Sequence, residues 1–72
     1  YTTIRWKSKI SGHASLEVFD ALGRKVKTLI DEFRQQGNYT EYFDSEELPS
    51  GTYFNHLKVG NNVTTIKMII MK

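Results

Sequence analysis

Turn-forming residues recur so often along this chain of 72 residues that the segments between them are all short. Four clusters rich in Gly, Asn, Asp, Ser or Pro lie at residues 20–23, 35–38, 49–51 and 60–62. Glycine suits such places because it adopts positive φ without a steric cost. The segments between the clusters are rich in Val, Ile, Thr, Tyr and Phe, which favour strands. Short strand-like segments with regular turns predict an all-β sandwich or barrel.

Within these segments apolar and polar residues alternate, which is typical of strands with one buried face. In the second segment Leu16 and Val18 share a face, and Ser15 and Glu17 lie opposite them. Two other segments also place a set of residues on a single face: Ile4, Trp6, Ser8 and Ile10 near the start, and Tyr53, Asn55, Leu57 and Val59 later.

The chain ends in a hairpin followed by its most apolar stretch. Residues 60–62 supply the turn, since Gly and Asn are the residues that tight hairpin turns require. After the turn, Thr64, Ile66, Met68 and Ile70 face one way, and Val63, Thr65, Lys67, Ile69 and Met71 face the other. From Ile69 onward both faces are apolar, which predicts a final strand that is covered on both sides.

One segment, at residues 24–34, does not alternate. Val26, Leu29, Ile30 and Phe33 lie at i, i+3, i+4 and i+7, which is the spacing of an amphipathic helix. Periodicity alone therefore predicts a short helix here. A strand is the alternative, because Val, Thr and Ile favour strands, although it fits the spacing less well.

Size and charge limit the classes of function. A chain of 72 residues forms one domain with a thin core, so residues 1–72 are predicted to be a single unit. Its net charge of +2 comes from interspersed residues and not from the basic stripe of a nucleic-acid binder. No apolar run approaches the ~20 residues of a membrane span. Because Tyr1 is not an initiator methionine, we expect the chain to be a piece of a longer protein.

Candidate metal ligands are few. The chain has no cysteine, and His13 and His56 lie far apart without a partner at ligand spacing, so both are predicted to be surface or strand histidines. Asp44 begins an acidic cluster that lacks the ligand pattern of an EF-hand loop, and its carboxylate is expected to cap a turn. A weak calcium site shared with Asp31 or Glu32 remains an alternative.

Signals of catalysis are missing from the sequence. There is no glycine-rich phosphate loop, no nucleophile elbow and no triad, so neither catalytic residues nor a cofactor is predicted. Aromatic residues are plentiful, and an aromatic strip on a β face stacks on sugars. For most of them we instead expect a place in the core, the set being Trp6, Tyr39, Phe43, Tyr53 and Phe54.

Read in order, four segments together resemble a known family. They are "TTIRW", "SLEVFDALGRKVKTLI", "GNYTEYFDSEELPSGTYFNHLKVGN" and "KMIIMK". The set resembles the C-terminal sorting domain of cargo proteins of the bacterial type IX secretion system and, more distantly, the Ig-like domain of flagellar hook-capping proteins. The match extends over essentially the whole chain. Its motif residues in turns and strands are Asp20, Gly23, Arg24, Asp44, Leu48, Ser50, Gly51 and Tyr53, and the terminal motif is Lys67, Met68, Ile69, Ile70, Met71 and Lys72.

The resemblance implies a fold and an address. The fold is a small Ig-like antiparallel β-sandwich of about six to seven strands, in which residues 24–34 form a strand, and we follow it there. The function implied is that of a non-catalytic sorting signal, preceded by a cargo domain and read by outer-membrane export machinery and a sortase-like peptidase. The cargo would then be secreted or held at the cell surface. The signal is expected in residues 67–72.

Two departures from the family pattern concern the expected core. Glu41 stands at a position that is usually apolar, on the same face as Tyr39 and Phe43, so it is expected at a margin of the sandwich or in a frayed strand. Trp6 replaces the more usual tyrosine. The alternative to a sorting domain is an Ig-like structural or carbohydrate-binding accessory module of a secreted glycoside hydrolase, since sandwiches host many functions.

Overall fold

A computed structural model of the chain describes residues 2–46 and 48–71, and Tyr1, Glu47 and Lys72 lie outside the described residues. Six strands account for most of them. They are β1 (Thr2–Ser8), β2 (Gly12–Asp20), β3 (Lys25–Arg34), β4 (Gly37–Phe43), β5 (Gly51–Val59) and β6 (Asn62–Ile70).

The strands form two antiparallel sheets. One contains β1 and β4, and the other has the order β3-β2-β5-β6. The connections after β1, β3 and β4 pass from one sheet to the other, so the sheets share one core between them. The small all-β, Ig-like sandwich predicted from the sequence is confirmed, with six strands within the described ranges.

The core lies where the alternation placed it. Ile4 and Trp6 from the smaller sheet pack against Ala14, Leu16 and other apolar residues of the larger one. A second cluster joins it towards the end of β6 and contains Val18, Phe43, Tyr53, Met68 and Ile70. Of the residues predicted to share the first inner face, Ile10 lies outside β1 and is exposed.

Residues 25–34 form strand β3, so the helix predicted from their spacing is wrong and the strand implied by the resemblance is correct. The pairing of β3 with β2 shows why this segment does not alternate. Leu16 pairs with Ile30 and Glu17 with Thr28, which leaves Leu29 as an extra residue, and a second shift leaves out Val26. Such bulges break the period of two, so β3 does not alternate along its length. The four apolar residues of the helical spacing do not share one buried face, since Ile30 is buried and Val26 and Phe33 are exposed.

Two turns fix the ends of the strands. The hairpin between β5 and β6 has only Gly60 and Asn61 between the strands, and Gly60 has a φ of 58°. The turn between β2 and β3 is built on Asp20. Its Oδ1 accepts hydrogen bonds from the backbone N–H groups of Leu22 and Arg24, both at 2.9 Å. A short polar side chain that bonds the backbone ahead of it stabilises such a turn.

The carboxylate of the inward-facing Glu41 forms an ion pair with Arg34 of β3. Its Oε1 lies 3.0 Å from Nη1 of Arg34, whose guanidinium also contacts Glu32 and lies 5.0 Å from the ring centroid of Tyr39. Burial disfavours the charge of Arg34, but attraction by Glu41 and Glu32 outweighs it and raises the pKa of the guanidinium. Glu41 therefore lies at the margin of the sandwich, as one of the two expectations had it, within a regular strand.

The aromatic residues divide between the core and the surface. Trp6, Phe43 and Tyr53 are buried, and Tyr39 stacks on Trp6 with ring centroids 4.6 Å apart. Phe54 is only half-buried and points to the outer face of β5, so it is the exception in a set of which most members were expected in the core. Alternation explains its position, because Phe54 follows the buried Tyr53 and must face the other way.

Candidate functional site

The terminal strand β6 lies at the edge of the larger sheet. Within the described residues it pairs with β5 alone, so its other edge presents unpaired backbone groups. Met68 and Ile70 point inward and are buried in the second core cluster. Lys67 points outward, as does Ile69, which is 61% exposed, and Met71 is 84% exposed.

The exposure of Ile69 corrects one expectation. The apolar run at the end of the chain predicted a strand that is covered on both faces, but among the described residues nothing covers the outer face of Ile69. The order of the sheets gives the reason. The smaller sheet packs against only the inner face of the larger one, and the outer face of β6 is turned away from it. Of the predicted signal residues, Lys67 to Met71 are described, and Lys72 lies outside the described residues.

The structure brings the motif of residues 48–53 directly against the terminal strand. Gly51 pairs with Ile70 and Tyr53 with Met68. Leu48 packs on the same core cluster as Met68, and the hydroxyl of Tyr53 donates a hydrogen bond of 2.7 Å to the carbonyl of Pro49. This contact holds the loop before β5 against the core.

The Asp20 turn lies beside these residues. In the larger sheet Asp20 pairs with Tyr53, so the turn and the end of β6 occupy the same end of the sandwich. Hydrogen bonds from the backbone N–H of Arg24 and from its side chain lower the pKa of Asp20 and outweigh burial, which raises it. Gly23 donates its backbone N–H to the carbonyl of Asp20 at 3.0 Å and has a φ of 84°. The motif residues on this turn therefore shape the backbone.

Asp44 also shapes a turn. Its Oδ1 accepts a hydrogen bond of 3.1 Å from the backbone N–H of Glu46, which confirms the turn-capping prediction. Asp31, a suggested partner in a calcium site, instead lies 2.6 Å from Nε2 of His13. Within the described part of the chain no three His, Asp or Glu residues come close enough together to hold a metal ion. Ser50, another motif residue, lies in the exposed loop immediately before β5.

Two residues that sequence reasoning did not assign to the site lie next to it. Phe19 pairs with Phe54, and Phe54 pairs in turn with Lys67, so the three side chains form a row across the outer face of the larger sheet. Thr52 pairs with Ile69 in the next row. Strict alternation along β2 and β5 is the signal that would have placed both phenylalanines on this face.

The site is thus an exposed strand edge with an apolar and basic outer face. Its geometry suits binding to another polypeptide, because an open edge supplies backbone hydrogen bonds and alternate side chains supply specificity. Among the described residues there is no helix long and apolar enough to cross a membrane.

Comparison with known proteins identifies a family. The sequence model of a family described as "Secretion system C-terminal sorting domain" matches residues 1–71. No curated protein and no solved structure matches the chain. Domains of this kind are generally non-catalytic. Because the family match covers nearly all of the chain, and the fold agrees with it, the chain belongs to the C-terminal sorting domains of type IX secretion.

Proposed function

We propose that this domain is the non-catalytic export signal of a larger secreted protein and that the end of β6 is the part that is read. The observation that carries the proposal is the position of the terminal strand at an open sheet edge, with Lys67, Ile69 and Met71 exposed. Membership of the family supports the role in export.

Recognition follows from the two faces of β6. Met68 and Ile70 hold the strand to the core, so its backbone is already extended when a receptor meets it. The receptor pairs with the open edge and takes the side chain of Ile69 into a pocket. Lys67 orients the complex and steers encounter more than it adds affinity, as charges at the rim of an interface do. We assign Lys72 the same role.

The partners and route are part of the proposal. The outer-membrane export machinery binds the domain, the cargo reaches the cell surface or the exterior, and a sortase-like peptidase then cuts upstream of β1. In this scheme the domain itself performs no chemistry, and the turns at Asp20, Gly23, Asp44 and Gly51 serve to position β6.

Export of a fused reporter tests the proposal. Deletion of residues 67–72 should abolish export while leaving expression intact, but it also removes Met68 and Ile70 from the core. A sharper variant is Ile69→Asp, which changes an exposed side chain. Val63→Asp is the matched control, because Val63 lies on the same face of the same strand, is 53% exposed and is far from the end. We expect Ile69→Asp to block export and Val63→Asp to leave it unchanged. Normal export of the deletion variant would refute the assignment of the signal to residues 67–72, and normal export of Ile69→Asp would refute recognition through the outer face of β6.

One observation favours a second candidate function, a carbohydrate-binding accessory module. Phe19 and Phe54 lie side by side on the outer face of the larger sheet, where aromatic rings stack on sugars. A pull-down with insoluble glycans tests it. Retention that is lost in Phe54→Ala would favour this function, and the full-length gene would show whether a stop codon follows Lys72, as a terminal signal requires.

A further inference from the structure

The two sheets are unequal, and one side of the core is left open as a result. On the side of β4 the sandwich is closed by contacts with β3. Glu41 contacts Arg34 of β3, and the ring of Phe43 lies 5.2 Å from Nζ of Lys27, also on β3. On the other side, β1 and β6 are separated by a groove. We call this the β1–β6 groove. Residues 2–5 and 7–9 line one wall, residues 61–64 and 66–68 line the other, and Asn55, Leu57 and Val59 form the floor.

The groove exposes positions that belong to the interior. Thr64 and Ile66 lie on the same face of β6 as the buried Met68 and Ile70, but both are exposed, Ile66 to 37%. The groove includes two cavities of about 410 and 210 Å³. Its floor holds an unsatisfied polar group, because Asn55 is 2% exposed and its Oδ1 has no hydrogen-bond partner within the described residues. A buried acceptor of this kind is costly unless a donor reaches it.

The edge of β1 faces this groove. Within the described residues β1 pairs with β4 alone, so every second residue of β1 directs its backbone N–H and C=O away from β4. A third strand added to this edge would lie over Thr64 and Ile66 and would complete the smaller sheet. The groove therefore fits one extended polypeptide segment, because its wall offers backbone hydrogen bonds from β1 and its floor offers apolar side chains.

The charge of the rim selects the kind of segment. Arg5 and Lys7 on β1, Lys9 after it and Lys67 on β6 line the groove, and the described residues that line it include no Asp or Glu. In a strand paired with β1, residues opposite Arg5 and Lys7 face outward with them, and opposite charges in such cross-strand pairs are favourable. The residues between face the apolar floor.

We propose that the β1–β6 groove binds an extended segment of a partner protein in which apolar and acidic residues alternate, added as a strand to the free edge of β1. Apolar side chains of the segment contact Ile66 and Leu57, and its acidic side chains lie beside Arg5 and Lys7. This inference goes beyond the export signal, because it concerns a different strand edge and is measured by binding in solution, without secretion.

A fluorescent peptide of seven residues, Val-Glu-Val-Glu-Val-Glu-Val, tests the proposal, since β1 itself has seven residues. We expect saturable binding by fluorescence anisotropy, with NMR shift changes at the amides of β1 and of Thr64 and Ile66. The peptide with Lys in place of Glu should bind about tenfold more weakly or not at all. A Glu peptide with alternate amides N-methylated should lose binding, because the edge hydrogen bonds are removed.

Matched charge reversals locate the site on the domain. Lys7→Glu should weaken binding of the Glu peptide by about tenfold. Lys58→Glu, a charge reversal of another exposed lysine, on the outer face of β5, should leave it unchanged. No binding of the Glu peptide, equal binding of the Lys peptide, or equal effects of the two variants would overturn the proposal.

Experiments with the same domain and peptide distinguish two other ways of filling the groove. If the domain dimerises in sedimentation equilibrium and its β1 amides shift with protein concentration, a second copy fills the groove. If the Glu peptide binds the isolated domain but not the full secreted protein, residues of that protein already cover the groove. Either result would overturn the assignment to a partner.

Discussion

The two faces of the terminal strand predict opposite consequences for neighbouring substitutions. Met68 is 9% exposed and packs among Val18, Phe43, Tyr53 and Ile70. Shortening a buried methionine to alanine removes its contacts and leaves a cavity, at a cost of about 2–5 kcal/mol. Because β6 is an edge strand beside an open groove, the surroundings can partly close in, so we expect a value near the lower end, about 2–3 kcal/mol.

That loss is large for a domain of this size. At about 0.05–0.15 kcal/mol per residue, a chain of this length has about 4–11 kcal/mol of total stability. Each 1 kcal/mol shifts Tm by about 4–8 °C in a domain of 60–100 residues, so Met68→Ala should lower Tm by about 8–24 °C. Ile69→Ala changes an exposed side chain and should alter the free energy of unfolding by less than about 0.5 kcal/mol.

Urea and thermal denaturation followed by circular dichroism measure both variants, and export of a fused reporter adds the functional comparison. We expect Met68→Ala to reduce export only in proportion to the unfolded fraction, and Ile69→Asp to block export of a folded domain. If Ile69→Ala destabilised the domain as much as Met68→Ala, the outer face of β6 would have to be covered, and the reasoning from sheet order would fail.

Three further substitutions test the turns and the margin of the sandwich. Asp20→Asn should lower the free energy of unfolding at neutral pH. Because the folded state lowers the pKa of Asp20, the difference in stability between the wild type and Asp20→Asn should shrink as pH falls below about 4, which urea melts at a series of pH values measure. Gly60→Ala should lower the free energy of unfolding by about 1–2 kcal/mol in the same melts, because φ is 58° and the added Cβ would lie 3.2 Å from Ile10. Gly51→Ala serves as the control, because its added Cβ would make only a 3.9 Å contact. Arg34→Ala should be destabilising because it leaves the half-buried carboxylate of Glu41 unpaired. Combining Arg34→Ala with Glu41→Gln should recover part of the lost stability. A double variant no more stable than Arg34→Ala would contradict the pairing.

Alternation along single strands was enough to predict most of the fold. Leu16 and Val18 on β2, and Tyr53, Leu57 and Val59 on β5, are buried because strands with one covered face must alternate. The same rule could not describe β3, where two extra residues shift the register. A bulge depends on how β3 pairs with β2, which the spacing within β3 does not contain.

The exposure of the outer face of β6 could not be predicted from the sequence for a related reason. An apolar residue on each face of residues 69–71 is compatible with a central strand or with an edge strand. The order β3-β2-β5-β6 decides between them, and order is set by contacts between segments far apart in the chain. Likewise, the exposure of Thr64 and Ile66 follows from the absence of a third strand beside β1 in the described residues, which no feature within β6 indicates.

Under the proposed function, the folded domain prepares β6 for recognition in a way that a free peptide of residues 67–72 would not. Fixing the backbone of a free peptide costs about 1–2 kcal/mol per residue, a loss that would offset much of what edge pairing gains. In the domain, burial of Met68 and Ile70 and pairing with β5 have already met that cost during folding. Ile69 and Lys67 are thereby displayed on an extended backbone without taking part in the core. Under the proposed function, the turns around Asp20 and Gly51 support the signal by positioning β6, since they lie at the same end of the sandwich as its last residues.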